Sequence, residues 1–199
     1  MAEPNAPYFV SFHTERVPTS IGHLSSSSGP RGQGVDRAGH TSIRQRARVS
    51  FMWDNGAERA DGMVSFFARS VNVYFRLEDF VVSISSDYLP RSCAYEATRR
   101  HEFESHIMRP MRIFHSHREI LITRLNSISV PTERSPVWTL SQAITGRQNS
   151  LEQRVVQAVA AVKGQLRQAL EADRRAQDRP SSYRLVYQQC SAEEWAQGR

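Results

Sequence analysis

Apolar and polar side chains alternate along much of the first half of the chain, which is the pattern of β-strands. Residues 8–13 form a short, largely apolar run, and residues 42–53 place apolar side chains between arginines and serine, as in a strand with one solvated face. Two further strands are predicted over residues 63–77 and 80–86, with a hairpin at the polar pair Glu78-Asp79 between them. This pattern predicts an antiparallel sheet of about three or four strands.

Turn-forming residues separate the predicted strands. Residues 15–41 are rich in serine, glycine and proline, which indicates a long loop. The run Asp54-Asn55-Gly56 predicts a tight turn after the strand over residues 42–53.

The second half of the chain has the spacing of amphipathic helices. Ser92 is a suitable N-cap for a helix over residues 94–128, which we expect to kink before Pro110. A second helix follows, and Pro180 ends it. Its apolar stripe consists of Leu151, Val155, Ala158, Val159, Val162, Leu166, Ala169 and Leu170. Residues 183–187 are predicted to form a last strand or an extended arm.

Strands followed by helices indicate an α+β fold, in which a small antiparallel sheet in the N-terminal half packs on long helices in the C-terminal half. A chain of 199 residues is long enough to bury a sizeable core. We expect a single domain over residues 1–199, with a strand-rich half over residues 8–90 and a helical half with a C-terminal arm over residues 91–199.

Composition and charge argue against two classes of function. Hydrophobic residues make up 39% of the chain, but they form no run long enough to span a membrane. The net charge of +6 comes almost entirely from arginines, which are scattered among acidic residues and form no basic stripe. We therefore expect no membrane span and no nucleic-acid binding. The first residues lack the basic region and apolar core of a signal peptide.

The two cysteines, Cys93 and Cys190, allow two interpretations. A disulfide between them would close a loop of about 100 residues, stabilise the fold by about 4–5 kcal/mol in the chain-entropy model and indicate an oxidising compartment. Two free, buried thiols would instead fit a cytosolic protein. The two residues alone leave both interpretations open.

The run HEFESH, from His101 to His106, contains the residue types of a zinc hydrolase. In the usual H-E-x-x-H motif the histidines bind the metal and the glutamate accepts a proton from water. Here the spacing is H-E-x-x-x-H, and residues five apart diverge by about 140° on a regular α-helix. A π-bulge would absorb the extra residue, and Pro110 favours one because it offers no N–H to the carbonyl of His106. Peptidases of the dipeptidyl peptidase III type have the same spacing on their zinc helix.

The same residues allow a simpler interpretation. Glu102 and His106 are four residues apart, so on a regular helix they could form a solvated carboxylate–imidazole pair, with His101 on the surface. A catalytic zinc site also needs a third protein ligand, which this motif does not supply. Candidates for it are His115, His117, Glu119, Glu152 and Glu171.

Three features support a family resemblance. The first is the series Gly29-Pro30, Gly39-His40-Thr41 and a strand that ends at Phe51-Met52-Trp53. The second is a strand over residues 71–77 before a helix that begins shortly after a proline, and the third is Arg99-Arg100-His101-Glu102 on that helix. In these motifs the chain resembles a bacterial family of small exported proteins described as zinc-dependent proteases. The resemblance covers about residues 8–130.

This resemblance implies His101 as a metal ligand and Glu102 as the general base. It implies His106 as the second ligand if the extra residue is looped out, because the family has its second histidine where Ser105 stands here. It also implies an exported location and a disulfide between Cys93 and Cys190.

Two functional hypotheses result. The first is a zincin-like metallohydrolase, a peptidase that acts on a peptide or protein substrate, with Zn²⁺ held by His101 and His106 and with Glu102 as the base. The second is a catalytically inactive, metal-free periplasmic binding or scaffold protein on the same fold. Both hypotheses favour a periplasmic or secreted protein, with a cytoplasmic location as the alternative. The sequence indicates no particular oligomeric state.

Overall fold

The computed structural model describes residues 8–14, 21–24 and 39–197. These residues form two compact units, each assembled from separate stretches of the chain. The first unit contains residues 8–13, 45–76 and 115–167, and the second contains Thr14 and residues 21–24, 39–44, 77–114 and 168–197. None of the described helices is long and apolar enough to cross a membrane.

The described elements confirm an α+β fold. The strands are β1 (Tyr8–Thr14), β2 (Ile21–Leu24), β3 (Gly39–Glu58), β4 (Met63–Ser85) and β5 (Val137–Leu140). The α-helices are α1 (Cys93–Phe103), α2 (Arg109–Asn126), α3 (Ile144–Gln177), α4 (Pro180–Tyr187) and α5 (Ala192–Gln197). A π-helical segment, Glu104–Met108, joins α1 to α2, and a 3₁₀ turn, Ser141–Ala143, leads into α3.

Strand β4 is the common partner of the other described strands. β2 runs parallel to it, with Ile21 opposite Val82, and β5 runs antiparallel to it, with Leu140 opposite Met63. The sheet is therefore mixed, and the prediction of a purely antiparallel sheet is wrong. The parallel strand β2 lies within the predicted loop over residues 15–41, where its four residues give too short a signal to recognise. Most of the rest of that loop lies outside the described residues.

β4 continues through Asp79, where the polar break in the sequence predicts a hairpin. Asp79 has φ 55°, in the left-handed region. Buried side chains occupy odd positions from Val71 to Leu77 and even positions from Phe80 to Ile84. The break has the effect of a β-bulge, because it shifts the buried face by one residue without reversing the chain. The hairpin prediction is therefore wrong.

The turn between β3 and β4 follows Arg59, and the predicted turn at Asp54-Asn55-Gly56 is wrong because these residues belong to β3. The amide of Gly62 donates to the carbonyl of Arg59 at 2.9 Å, and Gly62 has φ 76°. A glycine adopts this left-handed conformation without the steric cost that a side chain would impose.

The first unit has a core between sheet residues and the long helix α3. α3 buries one stripe at the predicted helical spacing: Val155, Val159, Val162 and Leu166. Its first residue, Ile144, packs with Val64 and Phe66 of β4. The predicted amphipathic helix is thereby confirmed.

In the second unit, Ser92 caps α1, as predicted, and accepts a hydrogen bond from the amide of Tyr95 at 3.2 Å. Residues 183–187 belong to α4, so the prediction of a strand or extended arm is wrong. Pro180 is the first residue of α4, a position whose N–H makes no hydrogen bond within a helix. The proline therefore begins α4 in addition to following the end of α3.

A disulfide joins Cys93, the first residue of α1, to Cys190, which follows α4. The disulfide interpretation of the two cysteines is confirmed, and the free-thiol interpretation is wrong. The two cysteines are separated by 97 residues, so the bond closes a long loop. It also fixes the chain at the end of α4 to the start of α1, against which α4 packs.

Replacing both cysteines with serine is expected to lower the free energy of unfolding by about 2–5 kcal/mol, because the unfolded chain regains the entropy of the open loop. Urea denaturation followed by circular dichroism measures this difference. Wild-type protein in excess reductant should match the double variant. Equal stability of the oxidised wild type and the variant would contradict the prediction.

Candidate metal centre

The π-helical segment brings together two histidines that a regular α-helix would separate. The ring centroids of His101 and His106 are 5.3 Å apart, and the rings are inclined at 79°. The amide of Arg109 donates to the carbonyl of Glu104, five residues earlier, which is the hydrogen bond of a π-turn. The predicted π-bulge is confirmed, and the imidazoles approach each other despite the extra residue in the motif.

Pro110 accounts for the position of the π-turn. In a regular α-helix an amide at residue 110 would donate to the carbonyl of His106, but proline has no N–H and its ring clashes with that carbonyl. One additional residue in the turn before Pro110 relieves this conflict. The π-turn therefore lies where one extra residue must be accommodated for His101 and His106 to face the same side of the helix.

Glu102 lies on α1 and is almost fully buried, with 2% of its surface exposed. The hydroxyl of Thr41 donates to its Oε2 at 2.6 Å. Gly39 lies against the same carboxylate, since a Cβ added at Gly39 would be 2.7 Å from Oε1 of Glu102. The beginning of β3 therefore covers Glu102, and only a glycine fits at residue 39 without displacing it.

The burial of the motif decides between the two interpretations of Glu102 and His106. His106 has 9% of its surface exposed, and Glu102 has 2%. A solvated surface pair is therefore wrong, and His101 is itself partly buried.

His101 has a buried ring nitrogen, Nε2, with no hydrogen-bond partner among the described residues. Its other ring nitrogen, Nδ1, lies 3.5 Å from Oγ of Ser105. The ring of Tyr183, on α4, packs on the imidazole with the centroids 5.1 Å apart. A buried polar atom without a partner is costly. The orientation of the ring thus leaves Nε2 available to a bound metal ion.

His101, Glu102 and His106 form a group that could hold a metal ion, because their ligand atoms all lie within 4.8 Å of one another. Bonds of about 2.0–2.2 Å place two tetrahedral zinc ligands about 3.3–3.6 Å apart, so ligand atoms at the 4.8 Å limit would approach each other by about 1.2–1.5 Å on binding. Two imidazoles and a carboxylate are donors that suit a divalent transition metal.

Burial shifts the pKa values of the three residues toward their neutral forms. Desolvation raises the pKa of Glu102 to about 7, although the hydrogen bond from Thr41 lowers it. Desolvation lowers the pKa values of His101 and His106, although the charge of Asp178 raises both. The imidazoles are therefore mainly unprotonated at neutral pH, which is the form that binds a metal.

The five candidates for a third ligand, His115, His117, Glu119, Glu152 and Glu171, do not belong to this group of described residues. Glu152 accepts a hydrogen bond from Nε1 of Trp53 at 2.7 Å, and Glu119 pairs with Arg118 at 3.0 Å.

Asp178, which belongs to no recognisable sequence motif, is the carboxylate that reaches His106. Its Oδ1 lies 3.4 Å from Nε2 of His106. The two residues belong to different helical regions, so no spacing rule within one helix connects them. Thr41 and Tyr183 were missed as neighbours of the motif for the same reason.

Comparison of the chain with protein-family models, curated proteins and solved structures finds no significant match. The resemblance to exported zinc-dependent proteases therefore stays a prediction. Two residues of the motifs that suggest it, Gly39 and Thr41, lie against Glu102.

Replacing Gly39 with alanine is expected to destabilise the protein by about 1–3 kcal/mol, because the new Cβ would displace the carboxylate of Glu102. In a Glu102→Ala background the atoms that meet this Cβ are gone, and the same change should cost less than about 1 kcal/mol. Chemical denaturation of the four proteins measures the coupling. Gly146→Ala is the control, since a Cβ there meets nothing within 4 Å. Strictly additive effects would contradict the contact.

Deleting Glu104 together with Pro110→Ala is expected to keep the affinity for Co²⁺ within about tenfold of wild type. H-E-x-x-H on a regular helix also places both histidines on one face, and alanine restores the N–H that Pro110 lacks. Inserting one alanine after Glu104 should abolish binding. Absorption titration measures both variants. A deletion variant with a native circular dichroism spectrum but no cobalt binding would be evidence against the role assigned to the π-turn.

Proposed function

We propose that the protein is a zinc-dependent hydrolase, specifically a peptidase, in which His101 and His106 bind the metal and Glu102 is the general base. The observation that carries this proposal is the approach of the two imidazoles in a buried cluster with Glu102, at a local departure from α-helical geometry. π-Bulges of this kind are frequent at functional sites.

Zinc suits these donors, and the glutamate beside the ligating histidines favours it because such a base serves zinc-dependent hydrolysis. Neutral imidazoles and carboxylates are common ligands of Zn²⁺, which forms tetrahedral catalytic sites with one position open to water or substrate. Nε2 of His101, buried and without a hydrogen-bond partner among the described residues, would supply one of the bonds. Zinc, when bound, would acidify a water molecule and polarise a substrate carbonyl.

Glu102 is suited to move the proton in such a reaction. The 2.6 Å hydrogen bond from Thr41 fixes the orientation of its carboxylate. As the oxygen of water bonds to the peptide carbonyl carbon, Glu102 accepts a proton from that water. It then gives the proton to the departing amine as the C–N bond breaks, so the overall reaction consumes only water.

The disulfide supports the location that the proposal implies. Structural disulfides such as Cys93–Cys190 persist in oxidising compartments, and the periplasm and the extracellular space are two of these. We therefore propose an exported enzyme whose substrates are peptides or proteins. An extended substrate could bind by adding to an edge of the sheet through backbone hydrogen bonds.

Protein purified without chelator is expected to contain about one zinc ion per chain, measured by mass spectrometry of the metal. His101→Ala and His106→Ala should each lose the zinc, because each removes a ligand. Glu102→Gln should keep the zinc but lose at least about 100-fold in activity on a fluorescence-quenched peptide library, because the amide cannot accept the proton.

Glu104→Gln is the matched control for Glu102→Gln, since Glu104 is an exposed carboxylate two residues away. It should keep both the zinc and the activity. Zinc-free wild-type protein whose stability does not change in chelator would contradict the proposal. That result would favour the metal-free binding or scaffold protein.

A further inference from the structure

One carboxylate approaches the proposed metal ligands from outside the helix that carries them. Asp178 lies between α3 and α4, and its Oδ1 is 3.4 Å from Nε2 of His106. We propose that Asp178 is the third protein ligand of the metal. This inference rests on the proposed function, and it completes the set of three protein ligands and one open position that a catalytic zinc site requires.

The distance between Asp178 and His106 is long for a direct hydrogen bond and fits two ligands of one metal. A charge-assisted hydrogen bond from a ring nitrogen to a carboxylate is about 2.7–2.9 Å long, which is shorter than the 3.4 Å found here. Two ligands of one tetrahedral zinc ion lie about 3.3–3.6 Å apart. Oδ1 and Nε2 therefore have the separation of neighbouring ligands. Asp178 lies outside the group whose ligand atoms are all within 4.8 Å of one another, so its exposed side chain would have to turn toward His101 when the metal binds.

The two oxygens of Asp178 face different partners. Nε of Arg174, one helical turn earlier, lies 3.5 Å from Oδ2, while Oδ1 faces His106. Outer partners of this kind orient metal ligands and keep them in position. The side chain of Asp178 is 40% exposed, so this side of the cluster is open to solvent, as a catalytic metal requires.

Other contacts hold the segment that follows Asp178 against the motif helix. Tyr183 packs its ring on His101 at 5.1 Å between centroids. Farther along, Cys190 is bonded to Cys93 at the start of α1. The position of the Asp178 carboxylate therefore does not depend on a single ion pair with His106.

Asp178→Asn tests the assignment through zinc affinity, measured by competition with a chromogenic chelator. Loss of a ligand should lower the affinity by more than about 100-fold, which exceeds the effect of losing an outer partner. Asp178→His supplies a different zinc-binding side chain and should recover most of this loss. Glu171→Gln is the matched control, because it removes the same charge from an exposed position near the C-terminal end of α3.

Cobalt substitution provides a second measurement. The visible absorption of bound Co²⁺ reports the number and type of its ligands, so Asp178→Asn should change the spectrum and Glu171→Gln should not. An affinity loss below about 100-fold with an unchanged cobalt spectrum would overturn the assignment of Asp178 and leave His101 and His106 as ligands. Zinc-free wild-type protein would instead overturn the proposed function and this assignment together.

Discussion

The π-turn over Glu104–Met108 is the constraint on which the candidate site depends. Without it, His101 and His106 would point about 140° apart on the helix surface, and one ion could not bind both. Pro110 lowers the relative cost of the π-turn, because a regular turn would leave the carbonyl of His106 without its donor and against the proline ring. A single extra residue therefore explains both the unusual backbone and the unusual spacing of the motif.

The burial of Glu102 adds a second constraint. Burial raises the pKa of Glu102 to about 7, so a large share of this carboxylate is ionised at neutral pH with 2% exposure, and one hydroxyl donor, Thr41, does not compensate for its burial. Beside it lies a buried imidazole nitrogen of His101 that has no hydrogen-bond partner among the described residues. A divalent cation would satisfy both groups at once, since it supplies positive charge to the carboxylate and accepts the lone pair of the nitrogen. The polar cluster is thus easier to explain as a binding site than as a structural feature.

Features with a local physical cause were predictable from the sequence. The N-cap at Ser92, the buried stripe of α3 and the π-turn before Pro110 each depend on residues within a few positions of one another. The polar break at Asp79 was ambiguous, because a hairpin and a bulge both interrupt an alternating pattern. Residues 183–187 were too few for their period to distinguish a strand from a helix, and the helix start at Pro180 decided the outcome.

The sequence points to the two histidines of the proposed metal site but not to Asp178, for a geometric reason. Two histidines on one helix are fixed relative to each other by the helix itself, so their spacing and a nearby proline make their convergence one of the two arrangements that the sequence allows. A ligand from another element depends on where that element packs, and for Asp178 this position depends on the contacts of α4 and on a disulfide to the start of α1. Its neighbours Asp173, Arg174 and Arg175 give it the appearance of an ordinary solvated helix end. The carboxylate becomes distinct from those neighbours only when tertiary structure places it beside an imidazole.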